Sequence, residues 1–205
     1  MLLVPLAFLV AGCYPEHPQS TFDASGPVAA SQLTLFYWIL WAAVFVFIVV
    51  GGILLYAAIR FRRREGDPDP PQIHGNTPLE IGWTILPAVV LAVVAVPSVL
   101  TIFDNANSPD PGGLTVEVIG HQWWWEFRYE DQPEPGKQLV TANELHIPVG
   151  EVVNLKLDSK DVLHSFWIPK LAGKVDLVPN NKNTMWIKAD EPDVYLGQCA
   201  EFCGV

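Results

Sequence analysis

Two long apolar runs without a single charge, residues 33–59 and 81–103, constrain this chain more than any other feature. Each exceeds the ~20 residues that carry a helix across a bilayer, so the expectation is a membrane hairpin over residues 33–103. Pro87 and Pro97 fall inside the second run and are placed to kink it, which spanning helices tolerate better than soluble ones. Between the runs lie Arg60, Arg62, Arg63 and Arg64, whereas residues 13–32 contain no Lys or Arg. Arginines concentrate on the cytoplasmic side, which puts both ends of the chain outside. The composition agrees: of 205 residues half are hydrophobic and only 17% are charged, which suits a tethered domain better than a free one.

The N-terminus gives an independent argument for export. Residues 2–10 form an apolar core, and Val10-Ala11-Gly12-Cys13 resembles a bacterial lipobox, although no Lys or Arg precedes the apolar run. The expectation is a signal peptide over residues 1–12 and lipidation of Cys13, the other reading being a small apolar residue in an uncleaved segment. Residues 13–32, with Pro15, Pro18, Gly26 and Pro27, read as an irregular extracytoplasmic linker.

After Asp104 the pattern changes. Pro109-Asp110-Pro111-Gly112-Gly113 is a break, and short β-rich runs follow at 114–119, 121–129, 144–147, 152–157 and 184–188. Pro, Gly, Asn and Asp turns separate them at spacings typical of a sandwich or barrel, so residues 104–205 are expected to form one small all-β domain. This segment holds 16 acidic against 8 basic residues. Such a surface excludes nucleic acid as a partner and suits a cationic protein.

Two cysteines four residues apart, Cys199 and Cys203, are the chemical centre of that domain. Their spacing lets two thiolates turn toward one point, and thiolate is the soft ligand that reduced copper prefers. A disulfide is the competing reading in an oxidising compartment. Copper also calls for imidazole, and His164 stands in an apolar stretch where it would otherwise be an ordinary core or surface histidine.

The segments DVLHSFWIP and GQCAEFCG, with TPLEIGWTILPA at the second apolar run and GHQWWWEFRYE early in the β domain, closely resemble cytochrome c oxidase subunit II. The resemblance runs in order from about Leu33 to Val205. It implies two transmembrane helices followed by an all-β cupredoxin-like Greek-key barrel. It implies that His164, Cys199 and Cys203 are ligands of a binuclear copper centre, CuA, with the backbone carbonyl of Glu201 a further ligand. The Glu201 side chain would also reach a magnesium ion at the subunit I interface. Trp123 matches the exposed tryptophan where electrons enter from cytochrome c. In a strand Trp123 and Trp125 would share one face and Trp124 the other. Glu80 matches the entrance of a proton channel, against an ordinary acid at a helix start. His121 and His146 are expected to be structural, and His74 lies in the cytoplasmic loop.

The family pattern continues past the second cysteine with a histidine and a methionine, whereas this sequence stops at Val205. The expectation is a fragment whose last strand and remaining ligands lie further on. The family's Pro-Gly-Arg is replaced here by Pro179-Asn180-Asn181. The implied function is the subunit of a proton-pumping respiratory oxidase that takes electrons from cytochrome c and passes them to haem in subunit I. Subunit I, other oxidase subunits, cytochrome c and membrane lipid are the implied partners, in a bacterial plasma membrane. A quinol-oxidase-type subunit II without CuA, a membrane-anchored copper-delivery protein and a scaffold with a disulfide are the alternatives.

Overall fold

In lipid every backbone polar group must find its partner within the chain, and a long helix satisfies this by itself. The computed structural model, which describes residues 17–66, 68–69, 71–130 and 138–205, places two such helices at the apolar runs. They are α1 (Pro27–Arg60) and α2 (Thr77–Ala106). In each, none of the residues of the most apolar stretch is buried within the chain. Such a surface is stable only in an apolar medium. The leader expected over residues 1–12 and the lipidation site Cys13 lie outside the described residues.

The chain divides into two units, one over Thr34–Leu100 and one that takes in the chain up to Leu33 and from Thr101 onward. In the first, α2 starts at a reciprocal cap. Asn76 Oδ1 accepts from the Leu79 amide, and the Asn76 amide donates to Glu80 Oε1. Two donors that would otherwise be orphaned are thereby satisfied. Helix α2 runs through Pro87 and Pro97 without ending.

Among the described residues the second unit contains eight strands: β1 (Leu114–His121), β2 (Trp124–Tyr129), β3 (Val140–Ala142), β4 (Val153–Ser159), β5 (His164–Trp167), β6 (Val175–Leu177), β7 (Asn183–Ile187) and β8 (Gln198–Cys199). They form a five-stranded sheet in the order β3-β2-β1-β4-β7 and a three-stranded sheet in the order β6-β5-β8. Strands β1 and β4 pair in parallel, so the chain crosses over between them rather than turning back in a hairpin. Strand β4 alternates strictly, with Val153, Leu155 and Leu157 inward. Val116, Val118 and Phe127 from the large sheet and Phe166 and Leu177 from the small one join them in a single core.

Helix α1 begins six residues before the uncharged run. Gly26 and Pro27 suit a helix start, and Val28 and Ala29 are buried in the β unit. The preceding segment lies along the domain as a strap. The Ser25 amide donates to Lys170 O at 2.8 Å, the Asp190 amide to Ser25 O at 2.9 Å, and Lys170 pairs with Asp23. That carboxylate holds the Lys170 ammonium above its ordinary pKa. Residues 17–26 are irregular, as expected, whereas 27–31 are helical because their apolar side chains have a core to enter.

Two other expectations are corrected. Residues 144–147 are not a strand; pairing is taken by β3 just before them. Asn143 turns the chain out of the sheet with φ +62°, and its Oδ1 accepts from the Trp125 amide at 2.9 Å. The Tyr129 hydroxyl then fixes the next segment, accepting from the His146 amide and donating to His146 O. Trp123 also lies outside any strand, in the turn between β1 and β2, so the alternation expected of the three tryptophans begins only at Trp124.

The tightest point of the strap is Gly26, where an added Cβ would collide with Lys188 O and stand 3.1 Å from Leu171 O. Gly26→Ala is expected to destabilise the β unit by about 1–3 kcal/mol through overpacking. Gly51→Ala, with open space around it, should leave that unit unchanged. Tryptophan-fluorescence melts of the two variants check the contrast.

Candidate metal centre

Strand β5 is the middle strand of the small sheet and presents His164 at its first position, 1% exposed. The ring lies over Gly120 of β1, where a Cβ would stand 2.6 Å from its Cδ2. It meets Trp125 edge-on at 5.8 Å. Glycine at 120 is therefore a steric requirement of the imidazole rather than of the backbone.

A buried imidazole needs partners for its nitrogens. His164 Nε2 lies 2.7 Å from Asp161 Oδ1. A carboxylate there assigns the proton to Nε2 and leaves the Nδ1 lone pair free to bind. Asp161 is held in turn by the Val162 amide at 2.6 Å on Oδ1 and the Gln122 amide at 2.7 Å on Oδ2. Burial pushes the Asp161 pKa up, but these hydrogen bonds and His164 outweigh it and hold the carboxyl below its ordinary value.

The free nitrogen faces sulfur. Strand β8 pairs with β5 so that Cys199 stands opposite Phe166, and the Ala200 amide donates to Ser165 O at 2.9 Å. This register brings Cys199 Sγ to 3.9 Å from His164 Nδ1 and 3.5 Å from Glu201 O. The ligand atoms of His164, Cys199 and Cys203 all lie within 4.8 Å of one another. Both cysteines are free thiols rather than a disulfide. Burial raises the Cys203 pKa, and the neighbouring Cys199 raises it further. Two thiols beside a nitrogen lone pair and a carbonyl form a donor set that fits a soft cation such as copper.

The other sequence-predicted residues fall as follows. Glu201 brings its carbonyl to the cluster, while its Oε1 accepts from the Phe202 amide at 2.9 Å. Trp123 is 64% exposed, and its indole N–H donates to Gly204 O at 3.3 Å, one residue past Cys203. Glu80 belongs to the other unit, at the α2 cap. His121 is structural in its contacts: it stacks on Trp124 at 4.3 Å and meets Glu126 Oε2 at 2.8 Å. His146 is exposed, near Glu144. Sequence reasoning missed Gly120, Gln122 and Asp161. Only Asp161 carried a usable signal, a carboxylate three residues before the candidate histidine.

Two predictions follow from these contacts. Gly120→Ala must displace the His164 ring, so it should cost about 1–3 kcal/mol and weaken copper uptake, both read by titration and melting of the same samples. Glu126 concerns pH. Burial pushes its pKa up, but hydrogen bonds from Arg128 at 2.6 Å and from His121 outweigh this and lower it. A carboxyl with a depressed folded pKa stabilises above its ordinary value of 4.5, and that contribution is lost as pH falls through the folded pKa. Glu126→Gln should therefore flatten the fall of stability with acid below that value, measured by denaturant unfolding across pH.

With this geometry in hand, comparison with known proteins is direct. The family model "Cytochrome C oxidase subunit II, transmembrane domain" matches residues 16–101, and "Cytochrome C oxidase subunit II, periplasmic domain" matches residues 132–205. The chain is 41% identical to cytochrome c oxidase subunit 2 of Alkalihalophilus pseudofirmus, over 98% of this chain and 60% of that one. It is 30% identical to the probable cytochrome c oxidase subunit 2 of Rickettsia bellii, over 99% of this chain and 82% of that one. Quinol oxidase subunit 2 of Bacillus spizizenii is 31% identical, over all of this chain and 63% of that one. The two models meet the two helices and the β unit in chain order, and the chain belongs to the cytochrome c oxidase subunit II family.

Proposed function

We propose that this chain is the electron-accepting subunit of a proton-pumping respiratory haem–copper oxidase, taking electrons from cytochrome c at a CuA centre and delivering them to haem in subunit I. The observation that carries the proposal is the convergence of His164 Nδ1, two free thiols and the Glu201 carbonyl at one point of a β domain. Copper held there would supply a one-electron carrier that needs no open coordination position, which suits transfer rather than catalysis.

The chain's own residues account for the rest. Cys199, Cys203 and His164 Nδ1 would hold the copper, and Asp161 fixes the imidazole ring. Trp123 offers an exposed aromatic face joined by its indole to the segment carrying Cys203. The acidic β domain draws a basic cytochrome to that face. A single carboxylate would not hold magnesium alone, so Glu201 would offer such an ion one ligand at the interface with subunit I. Glu80 marks a proton entrance on the cytoplasmic side, where its carboxylate also caps α2. Residues 1–12 are removed as a leader and Cys13 is lipidated, leaving the domain on the outer face of a bacterial plasma membrane. The chain spans about 60% of the length of the Alkalihalophilus relative.

The likeness to a quinol oxidase subunit favours a second reading, a CuA-less subunit II. Metal analysis of the full-length protein separates the two. Two coppers per chain with strong thiolate-to-copper absorption support the proposal; no copper supports the quinol reading, and one labile copper supports delivery. Trp123→Phe should keep the copper and slow electron uptake from cytochrome c by an order of magnitude or more, in stopped-flow measurements. The wild-type rate should fall as salt screens the acidic face.

A further inference from the structure

We infer that Gln122 is a positioning residue that ties the histidine arm of the cluster to the Cys203 arm and sets their separation before any metal arrives. The inference rests on the metal-centre reading above. Gln122 occupies the turn between β1 and β2 and bonds in two directions. Its backbone N–H donates to Asp161 Oδ2 at 2.7 Å, while the other oxygen of that carboxylate holds His164 Nε2 at 2.7 Å. Its side-chain Nε2 donates to Cys203 O at 2.7 Å. One residue thus reaches both arms, across 39 positions to Asp161 and 81 to Cys203.

The Cys203 arm needs such a tie. Strand β8 ends at Cys199, so sheet pairing fixes the first thiol and leaves the second on irregular chain. The turn over Gln122 and Trp123 supplies what the sheet does not. Gly204 points the same way: a Cβ there would stand 2.9 Å from Gln122 Nε2, and its φ of +101° is a conformation that side-chain-bearing residues rarely adopt. The close approach of the amide and the glycine beside Cys203 belong to one arrangement. A ligand held in place before binding loses less freedom when the metal arrives, which raises affinity without adding a donor.

The test uses the full chain in detergent with Gln122→Glu and Gln122→Ala. The glutamate keeps the size and the backbone N–H but cannot donate to Cys203 O when ionised. Both variants are expected to lower copper affinity by about tenfold or more in chelator competition, the scale of outer-shell losses at metal sites. In metal-free protein, amide hydrogen exchange should quicken over residues 200–204 alone, with the melting temperature unchanged because Gln122 is exposed. Exchange in Gln122→Glu that stays at the wild-type rate, or quickens throughout the domain, overturns the inference whatever the copper affinity. If wild-type protein takes up no copper, the metal-centre reading falls. Exchange still decides the tie: local quickening upholds it and an unchanged rate overturns it.

Discussion

The β domain is organised around an imidazole that is almost completely buried. Taking His164 out of water is costly unless its ring nitrogens find partners. Asp161 satisfies Nε2, and the absence of a side chain at Gly120 gives the ring its place. Nδ1 is left facing Cys199 Sγ. The arrangement therefore requires β5 beside β8, β1 beneath the ring, and the loop over Asp161 closed by Gln122. The core of Val116, Leu155, Leu157 and Phe166 holds these strands in register. In this domain packing and chemistry answer the same geometric demand.

The surroundings of the two units are opposite, and so are their rules. Helices α1 and α2 expose their apolar side chains along most of their length, and their backbones need nothing from neighbours. The β unit instead gathers apolar side chains from both sheets into one buried core. The first turn of α1 belongs to the second regime, since Val28 and Ala29 enter the β core. The strap before it bonds to Lys170 and Asp190, and the Ala29 amide of the helix itself donates to Leu171 O, so this stretch acts as an edge of the domain rather than as a passive link.

Much of this was legible in the sequence, for reasons that can be stated. The spans were, because a long run without charge has few stable conformations in water. Strand β4 was, because strict alternation over Val153, Leu155 and Leu157 has one reading. The meeting of Cys199 and Cys203 with His164 was, because the cysteine spacing and the resemblance of DVLHSFWIP and GQCAEFCG pointed to the same three side chains. Strands β5, β6 and β8 were not: at four, three and two residues they are too short for periodicity to show. Residues 144–147 misled because Leu145 and Ile147 pack against the core while the His146 backbone bonds to the Tyr129 hydroxyl instead of to a strand. Asp161, Gln122 and Gly120 escaped because each acts through space on a residue far along the chain, and a single sequence gives no distance between them.

The two family readings, with and without copper, make different demands on the thiols. On the outer face of a membrane, two free cysteines close together tend toward a disulfide unless something occupies them. A subunit without metal would gain from that bond, or from losing the cysteines. It would have no use for a third donor aimed at them. Here the third donor is a buried imidazole whose far nitrogen is held by a carboxylate, with a backbone carbonyl added on the other side. A disulfide needs neither. A soft cation needs both, since the imidazole completes its ligand set and the carboxylate fixes which nitrogen faces it. The cost of burying His164 is offset by Asp161 at Nε2 and by Cys199 Sγ facing Nδ1, and that same nitrogen is the one a soft cation would use.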